Sequence, residues 1–192
     1  MFNNCTNLTD ITALANWNVS NVESMRSMFS GCTFFFRMVL SHLFFLYITT
    51  MQYMFYNCTN LTNITALANW NTSNVTNMYD MFYWCTNLTN ITALANWNVS
   101  KVENMNSMFN SCTDLTTLDM SGWNTGKVTN ITYFLTSCPK LTTWKVNSKL
   151  TVTVNSPNVT VNFGKTSYTY TSGATSASKS TSGNVTTITF VR

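Results

Sequence analysis

The sequence predicts an α/β repeat. About five and a half coils of 26–27 residues, each a strand followed by a short helix, would stack and end in a short β-rich C-terminal segment. Three observations predict it. The run Met81–Asn98 recurs almost unchanged at Met54–Asn71 and Met1–Asn18, with a looser copy at Met108–Asn124. The six cysteines, Cys5, Cys32, Cys58, Cys85, Cys112 and Cys138, are 27, 26, 27, 27 and 26 residues apart. From Lys145 onward this vocabulary is replaced by short runs of alternating apolar and polar residues. Self-similarity at a fixed period of about 20–50 residues is the signature of stacked repeats, in which no unit can bury its apolar face alone.

Within a coil, the residues after the cysteine read Leu61-x-x-Ile64-x-Ala66-Leu67, or Leu115-x-x-Leu118-x-Met120 in the shorter version. That L-x-x-L-x-L spacing is the strand half of a leucine-rich repeat. Leu118 and Met120 are two apart and share one face of a strand. A Trp-Asn corner follows at Trp17, Trp70, Trp97 and Trp123. Val75, Met78, Phe82 and Cys85 then recur at spacings of three, four and three, which predicts one face of a short helix. Ser73 or Asn74 would cap its start. Asn18, Asn71, Asn98 and Asn124 would form ladders between coils.

These residues resemble the BspA-like leucine-rich-repeat surface proteins, in the variety marked by Met-Phe-x-x-Cys. The carrying motif is Trp70-Asn71-Thr72-Ser73-Asn74-Val75-Thr76-Asn77-Met78 followed by Met81-Phe82-Tyr83-Trp84-Cys85. The resemblance spans about residues 1–145, with a defect in the second coil. It implies a leucine-rich-repeat solenoid, location at the cell surface or secretion, and a part in adhesion. It brings no catalytic residues, since that family shares none.

Two domains are expected: the solenoid at 1–145, and a β-rich cap or the start of a further β module at 146–192. Met1 falls in the slot of Met28, Met54, Met81 and Met108, so the chain begins in mid-repeat, as a piece of a longer repeat protein would. No basic start followed by an apolar stretch marks a secretory leader in it.

The second coil is anomalous. Residues 34–48 are rich in Phe and Leu where other coils carry Asn and Thr. The run is shorter than the ~20 apolar residues that cross a bilayer, and it contains Arg37 and His42. A membrane-spanning segment is not expected. Its core slots would be Phe35, Met38, Leu40, Leu43, Ile48 and Met51. The loss and in-register return of the Asn/Thr vocabulary would also follow from a local frameshift with a compensating one.

Beyond residue 145, the runs Leu150–Val154, Asn158–Phe163, Thr166–Thr171 and Asn184–Val191 alternate and predict strands. Thr171–Gly183, rich in Ser, Thr, Gly and Ala, reads as a loop.

Only 8% of residues are charged. Residues 1–119 hold all six acids and three bases, whereas residues 120–192 hold seven bases and no acid. Seven charges spread over that length read as a solvated surface rather than a nucleic-acid footprint. Catalysis is poorly supported. The one histidine, His42, lies in the anomalous run, and no phosphate-cradling glycine motif is present. Glu23 and Glu103 share a repeat slot and would lie several coils apart. No enzyme, cofactor or metal is expected. The cysteines read as buried free thiols.

Binding is the class that remains. Most Trp residues read as core. Some slots that are polar elsewhere carry aromatics here: Tyr53 replaces Ser27, Asp80 and Ser107, and Tyr79 replaces Arg26, Gln52 and Asn106. Tyr56 and Tyr83 replace Asn3, Ser30 and Asn110, and Trp84 replaces Asn4, Gly31, Asn57 and Ser111. Tyr53, Tyr56, Tyr79, Tyr83 and Trp84 would therefore form an exposed aromatic patch, of the residue types that dominate binding hot spots. The partner would be a host or neighbouring-cell surface protein or glycan. The alternatives are a structural spacer displaying another domain, and a nonfunctional fragment of a longer repeat protein.

Overall fold

The computed structural model describes residues 2–8, 19, 21–32, 47–171 and 173–192. It contains seven strands: β1 (Thr117–Met120), β2 (Thr143–Asn147), β3 (Val152–Asn155), β4 (Asn158–Phe163), β5 (Thr166–Tyr170), β6 (Ser176–Ser182) and β7 (Val185–Val191). They form a four-stranded sheet, ordered β1-β2-β7-β6, and a three-stranded sheet, ordered β3-β4-β5. The described residues include no α-helix, only 3-10 turns at Thr65–Asn69 and Thr92–Leu94. The α/β leucine-rich-repeat solenoid expected from the sequence is thus corrected: the architecture is mostly β, with no helix to alternate with strands. No helix among the described residues is long and apolar enough to cross a membrane. Most of the anomalous run, including Phe35, Met38, Leu40, His42 and Leu43, lies outside the described residues, as does Trp17.

The absent helix has a backbone cause. An α-helix needs successive N–H groups to donate to the carbonyl four residues back. Around Met51–Cys58 the donors divide instead. Met51, Tyr53, Phe55 and Asn57 donate to the carbonyls of Asn77, Tyr79, Met81 and Tyr83 in the next repeat, at 2.7–3.0 Å. Met54, Tyr56 and Cys58 close tight turns onto Met51, Tyr53 and Phe55 at 3.1–3.3 Å. Each N–H is thereby spent, and none is left for a helical ladder. The same division recurs one repeat on, where Met78, Asp80, Phe82 and Trp84 donate to Asn104, Asn106, Met108 and Asn110. Val75, Met78, Phe82 and Cys85 are all buried, as a helix face would be, but on a run of turns. With no helix to start, Ser73 and Asn74 cap nothing.

The strand half is also local. After Cys112 and Cys138, the apolar run forms β1 and β2, paired in parallel with Leu118 opposite Trp144. After Cys58 and Cys85, it turns into the 3-10 segments. The Asn63 side-chain oxygen accepts from the Thr65 N–H at 2.9 Å and from its hydroxyl at 2.8 Å. Asn90 does the same for Thr92 at 3.4 and 2.9 Å. Such Asn-centred turns compete with extended pairing, and the alanines that follow disfavour a strand. In the shorter repeat Gly122 takes the corner, where a Cβ would lie 2.4 Å from the Ala95 carbonyl oxygen. Asn71, Asn98 and Asn124 each accept the N–H two residues on within their own repeat, so the ladder expected of them between repeats is corrected.

Like residues of successive repeats meet in the core. Phe2, Phe29, Phe55, Phe82 and Phe109 form a run with neighbouring ring centroids 5.3–5.7 Å apart and nearly parallel planes. The Trp97 and Trp123 indoles donate to the Leu67 and Leu94 carbonyls, each at 2.8 Å. The thiols of Cys32, Cys58, Cys85, Cys112 and Cys138 donate to the carbonyls of Phe2, Phe29, Phe55, Phe82 and Phe109 at 3.0–3.1 Å. All six cysteines are free. Burial pushes the Cys32 thiol up to about 11 and the thiols of Cys85 and Cys112 well above their ordinary value.

The C-terminal strands close over the last repeat. β3, β4, β5 and β7 fall on the four alternating runs. The Ser/Thr-rich stretch expected to be a loop contains β6, antiparallel to β7. β2 runs across position 145 and pairs with β7 on its other side, so one sheet carries both segments. Phe163 packs 6.2 Å from Phe134 and 6.1 Å from Trp144. The Tyr170 hydroxyl donates to the Cys138 carbonyl at 2.6 Å, and the Tyr168 hydroxyl accepts from the Leu135 N–H at 3.0 Å. Gly164, at φ +50, turns β4 into β5 where a Cβ would meet the Thr125 and Gly126 carbonyl oxygens at 2.7 Å.

Phe82 is sandwiched by like rings, so Phe82→Ala is expected to cost about 3–5 kcal/mol in urea unfolding. A loss below about 1 kcal/mol would show that the phenylalanine run does not hold the repeats together.

Candidate functional site

The site grows from two backbone positions that recur in every turn run. The first adopts positive φ at Ser27, Tyr53, Asp80, Ser107 and Tyr133, between 52° and 58°. The second lies four residues on, at Asn4, Gly31, Asn57, Trp84, Ser111 and Ser137, between 58° and 70°. Gly, Asn and Asp suit this left-handed conformation; a bulky side chain there is an outlier and costs about 1–2 kcal/mol. Three of these positions nevertheless hold large aromatics: Tyr53, Trp84 and Tyr133. Trp84 is 48% exposed and Tyr133 59%. Backbone strain at exposed aromatics is of the kind that persists at working sites.

The structure brings all five sequence-predicted aromatics together. Tyr53 meets Tyr56 and Tyr79 edge-on, with ring centroids 5.7 and 5.0 Å away. Tyr56 stacks on Tyr83 at 5.1 Å with planes 7° apart, and Tyr83 leans on Trp84 at 5.9 Å. The four tyrosines are half-buried and Trp84 projects furthest. The Arg26 guanidinium sits over the Tyr53 ring, 5.3 Å from its centroid. The result is one continuous aromatic face, held by repeats whose backbones are hydrogen-bonded through Tyr53 to Tyr79 and Asn57 to Tyr83.

Asp80 lies among these rings. It is 6% exposed, and its Oδ1 is buried without a hydrogen-bond partner. Burial pushes its carboxyl up to about 6 against an ordinary 3.8, and the nearby Tyr79 and Ser107 side chains only partly offset this. The Tyr79 hydroxyl is pushed up to about 12, first by the Tyr53 hydroxyl and then by burial and by Asp80. Desolvation, Tyr83 and Asp80 raise Tyr56 as well.

Sequence reasoning missed Asp80, Arg26 and Tyr133 as members or neighbours of this surface. Tyr133 shares the Tyr53 slot, and that comparison would have found it. Nothing in the repeat pattern marks Asp80 as buried, because the same slot holds Tyr53 and Ser107 in the flanking repeats and Ser27 further back. Tyr133 also lines a groove of about 470 Å³ between the last repeat and β5, together with Thr136 and Tyr168.

Other chemistry finds little support among the described residues, where no group of three His, Cys, Asp or Glu side chains is placed to hold a metal ion. Two of the C-terminal bases are tied to acids: Lys140 to Asp114 at 2.6 Å and Lys145 to Asp119 at 3.4 Å. Lys179 and Arg192 donate to the Val152 and Leu141 carbonyls.

A family profile matches residues 1–66 and again residues 49–167, a span that takes in the whole aromatic face. The chain belongs to the family described as Mycoplasma protein of unknown function, DUF285. No curated protein and no solved structure matches it. Within this DUF285 chain, both matched segments contain the turn runs that carry the left-handed positions.

Asp80 generates a signed pH dependence. Because its pKa is about 6 in the folded chain, the folded state holds a proton that the unfolded state releases between about pH 4 and pH 6. Its contribution to stability is complete below the unfolded value and is lost as pH rises through about 6. Asp80→Asn, neutral throughout and well suited to positive φ, is expected to match the parent at pH 4. At pH 8 it should exceed the parent by on the order of 2 kcal/mol in urea unfolding. Equal stability of the two proteins at pH 8 would show that the carboxyl is not buried at a cost.

Proposed function

We propose that this chain is a non-enzymatic interaction module that recognises a surface protein or glycan of a host or neighbouring cell through its aromatic face. The observation that carries the reading is Trp84, a large exposed ring at φ +60 in a slot otherwise filled by Asn, Gly or Ser. Stability alone would favour a small residue there. Its ring continues into Tyr83, Tyr56 and Tyr53, so a partner would meet a prebuilt surface rather than isolated side chains. Tyr and Trp offer large contact area for little lost side-chain freedom. The sequence resemblance to BspA-like surface proteins supports placing the chain at the cell surface or in the secreted fraction.

The test has two readouts on the 192-residue chain. On arrays of immobilised glycans and cell-surface proteins, the double variant Tyr83→Ser, Trp84→Ser is expected to lose at least tenfold in affinity for whatever the parent captures. In thermal unfolding, Trp84→Asn is expected to be no less stable than the parent, because relief of about 1 kcal/mol of backbone strain offsets the lost ring contact. Undiminished capture by the double variant would remove the aromatic face as the binding surface. A marked fall in melting temperature for Trp84→Asn would assign the ring to packing.

A further inference from the structure

We propose that the aromatic face selects a cationic partner, and that the group it takes is an arginine side chain of a partner protein, seated on Tyr83 and Trp84 with Asp80 as its counter-charge. This rests on the reading of the aromatic face as the partner surface.

Three independent features point to a guanidinium. The first is the carboxylate. Asp80 is more than nine-tenths buried, and its Oδ1 has no hydrogen-bond partner. A buried, half-satisfied carboxylate is costly unless a positive charge compensates it. The chain does not supply one in the described contacts. The groups around Asp80 are Tyr53 in the preceding repeat, Tyr79 beside it, Tyr83 closing the turn onto its carbonyl at 3.2 Å, Tyr56 stacked on Tyr83, and Ser107 in the next repeat. None of them is a basic side chain. The Ser107 hydroxyl is directed to the Asn106 side-chain oxygen at 2.7 Å.

The second feature is the rings. Aromatic faces carry negative quadrupole potential and attract cations within about 6 Å of the centroid, Trp most strongly. Here Tyr83, whose N–H closes the turn onto the Asp80 carbonyl, stacks on Tyr56 and leans on Trp84.

The third is a precedent inside the molecule. At the other end of the same face, the exposed Arg26 guanidinium already lies 5.3 Å from the Tyr53 centroid. The face thus accommodates a planar cation where the chain provides one, and at its other end Trp84 is 48% exposed. Arginine is favoured over lysine because its planar, weakly hydrated guanidinium stacks on rings, from where its charge can offset that of the buried carboxylate.

The experiment uses the full chain and a blocked arginine-containing tetrapeptide as probe. Its citrulline counterpart, the same shape without the charge, is the control. Binding is followed by NMR shifts of the Trp84 indole and the Tyr83 ring. The arginine peptide is expected to bind at least tenfold tighter than the citrulline peptide at pH 7.5. Asp80→Asn should abolish that preference, and Trp84→Ser should weaken both peptides. In the parent, saturation with the arginine peptide should also move the Asp80 carboxyl resonance to titrate at lower pH, a shift that contact with the rings alone does not produce. Equal binding of the two peptides, or a preference that survives Asp80→Asn, would overturn the charge selection. If such binding were still lost in Trp84→Ser, the aromatic face would stand as a partner surface. No binding of either peptide would overturn the arginine inference, while the array result for the double variant would still decide the face itself. An arginine preference unaffected by Trp84→Ser would place the cation elsewhere on the molecule and sink both.

Discussion

A backbone N–H donates once, and the rest of this structure follows from where those donations go. In the turn runs, every second N–H from Met51 to Asn57 reaches the next repeat, and the ones between close tight turns within their own. A helix would use all of them internally, and a strand would alternate them between two neighbours. Here they serve one neighbour and the local turn. That arrangement can be sustained only if the chain changes direction at fixed places, which is what the paired left-handed positions accomplish. The repeat length of 26–27 residues then sets which carbonyl each donor meets. The phenylalanine run and the buried thiols fall into line because their backbones are already in register.

The same constraint explains where function can be placed. The inward side chains of a turn run are committed to packing: Phe82, Cys85 and Met81 are all fully buried. At the second left-handed position the side chains of Asn57, Trp84 and Ser111 reach the surface, whereas at the first Asp80 and Ser107 are buried. Any residue can be exchanged there for the cost of its own backbone strain. Asn, Ser and Gly minimise that cost in most repeats. Tyr53, Trp84 and Tyr133 do not, and two of these three belong to one connected surface. The strain is local and small beside the stacking that holds the repeat.

Much of this was legible in the sequence, and the boundary of what was not is physical. The positions of the buried residues were readable because burial follows the period: Val75, Met78, Phe82 and Cys85 are core whatever the backbone does between them. The aromatic patch was readable because each member stands in a slot that is polar elsewhere. The secondary structure was not. Spacings of three and four suit a helix face, yet a chain of tight turns with two left-handed residues gives nearly the same inward set. Ser, Tyr and Trp at those two positions hide the turn that Gly or Asn would have announced. The strand half failed for a related reason: the Asn63–Thr65 and Asn90–Thr92 side-chain bonds divert an apolar pattern that becomes extended only in β1 and β2. β3, β4, β5 and β7 were the easiest to place, since strict alternation admits few other conformations, whereas β6, in the Ser/Thr-rich stretch, was missed.

Asp80 shows how a repeat can acquire a property that its consensus lacks. The slot also holds serine, and at Ser107 the hydroxyl donates locally to the Asn106 side-chain oxygen at 2.7 Å. A carboxylate in the same slot is as buried as Ser107, each at 6%, and it has the Tyr79 side chain beside it. Burial thus belongs to the slot, and the carboxyl and the rings beside it are what this repeat adds. Take away the acid and the rings lose the charge that distinguishes a cationic partner from any other flat, apolar surface. In a chain with so few charged side chains, a single carboxylate placed under aromatic rings can dominate the local field, and so can determine which partner the face accepts.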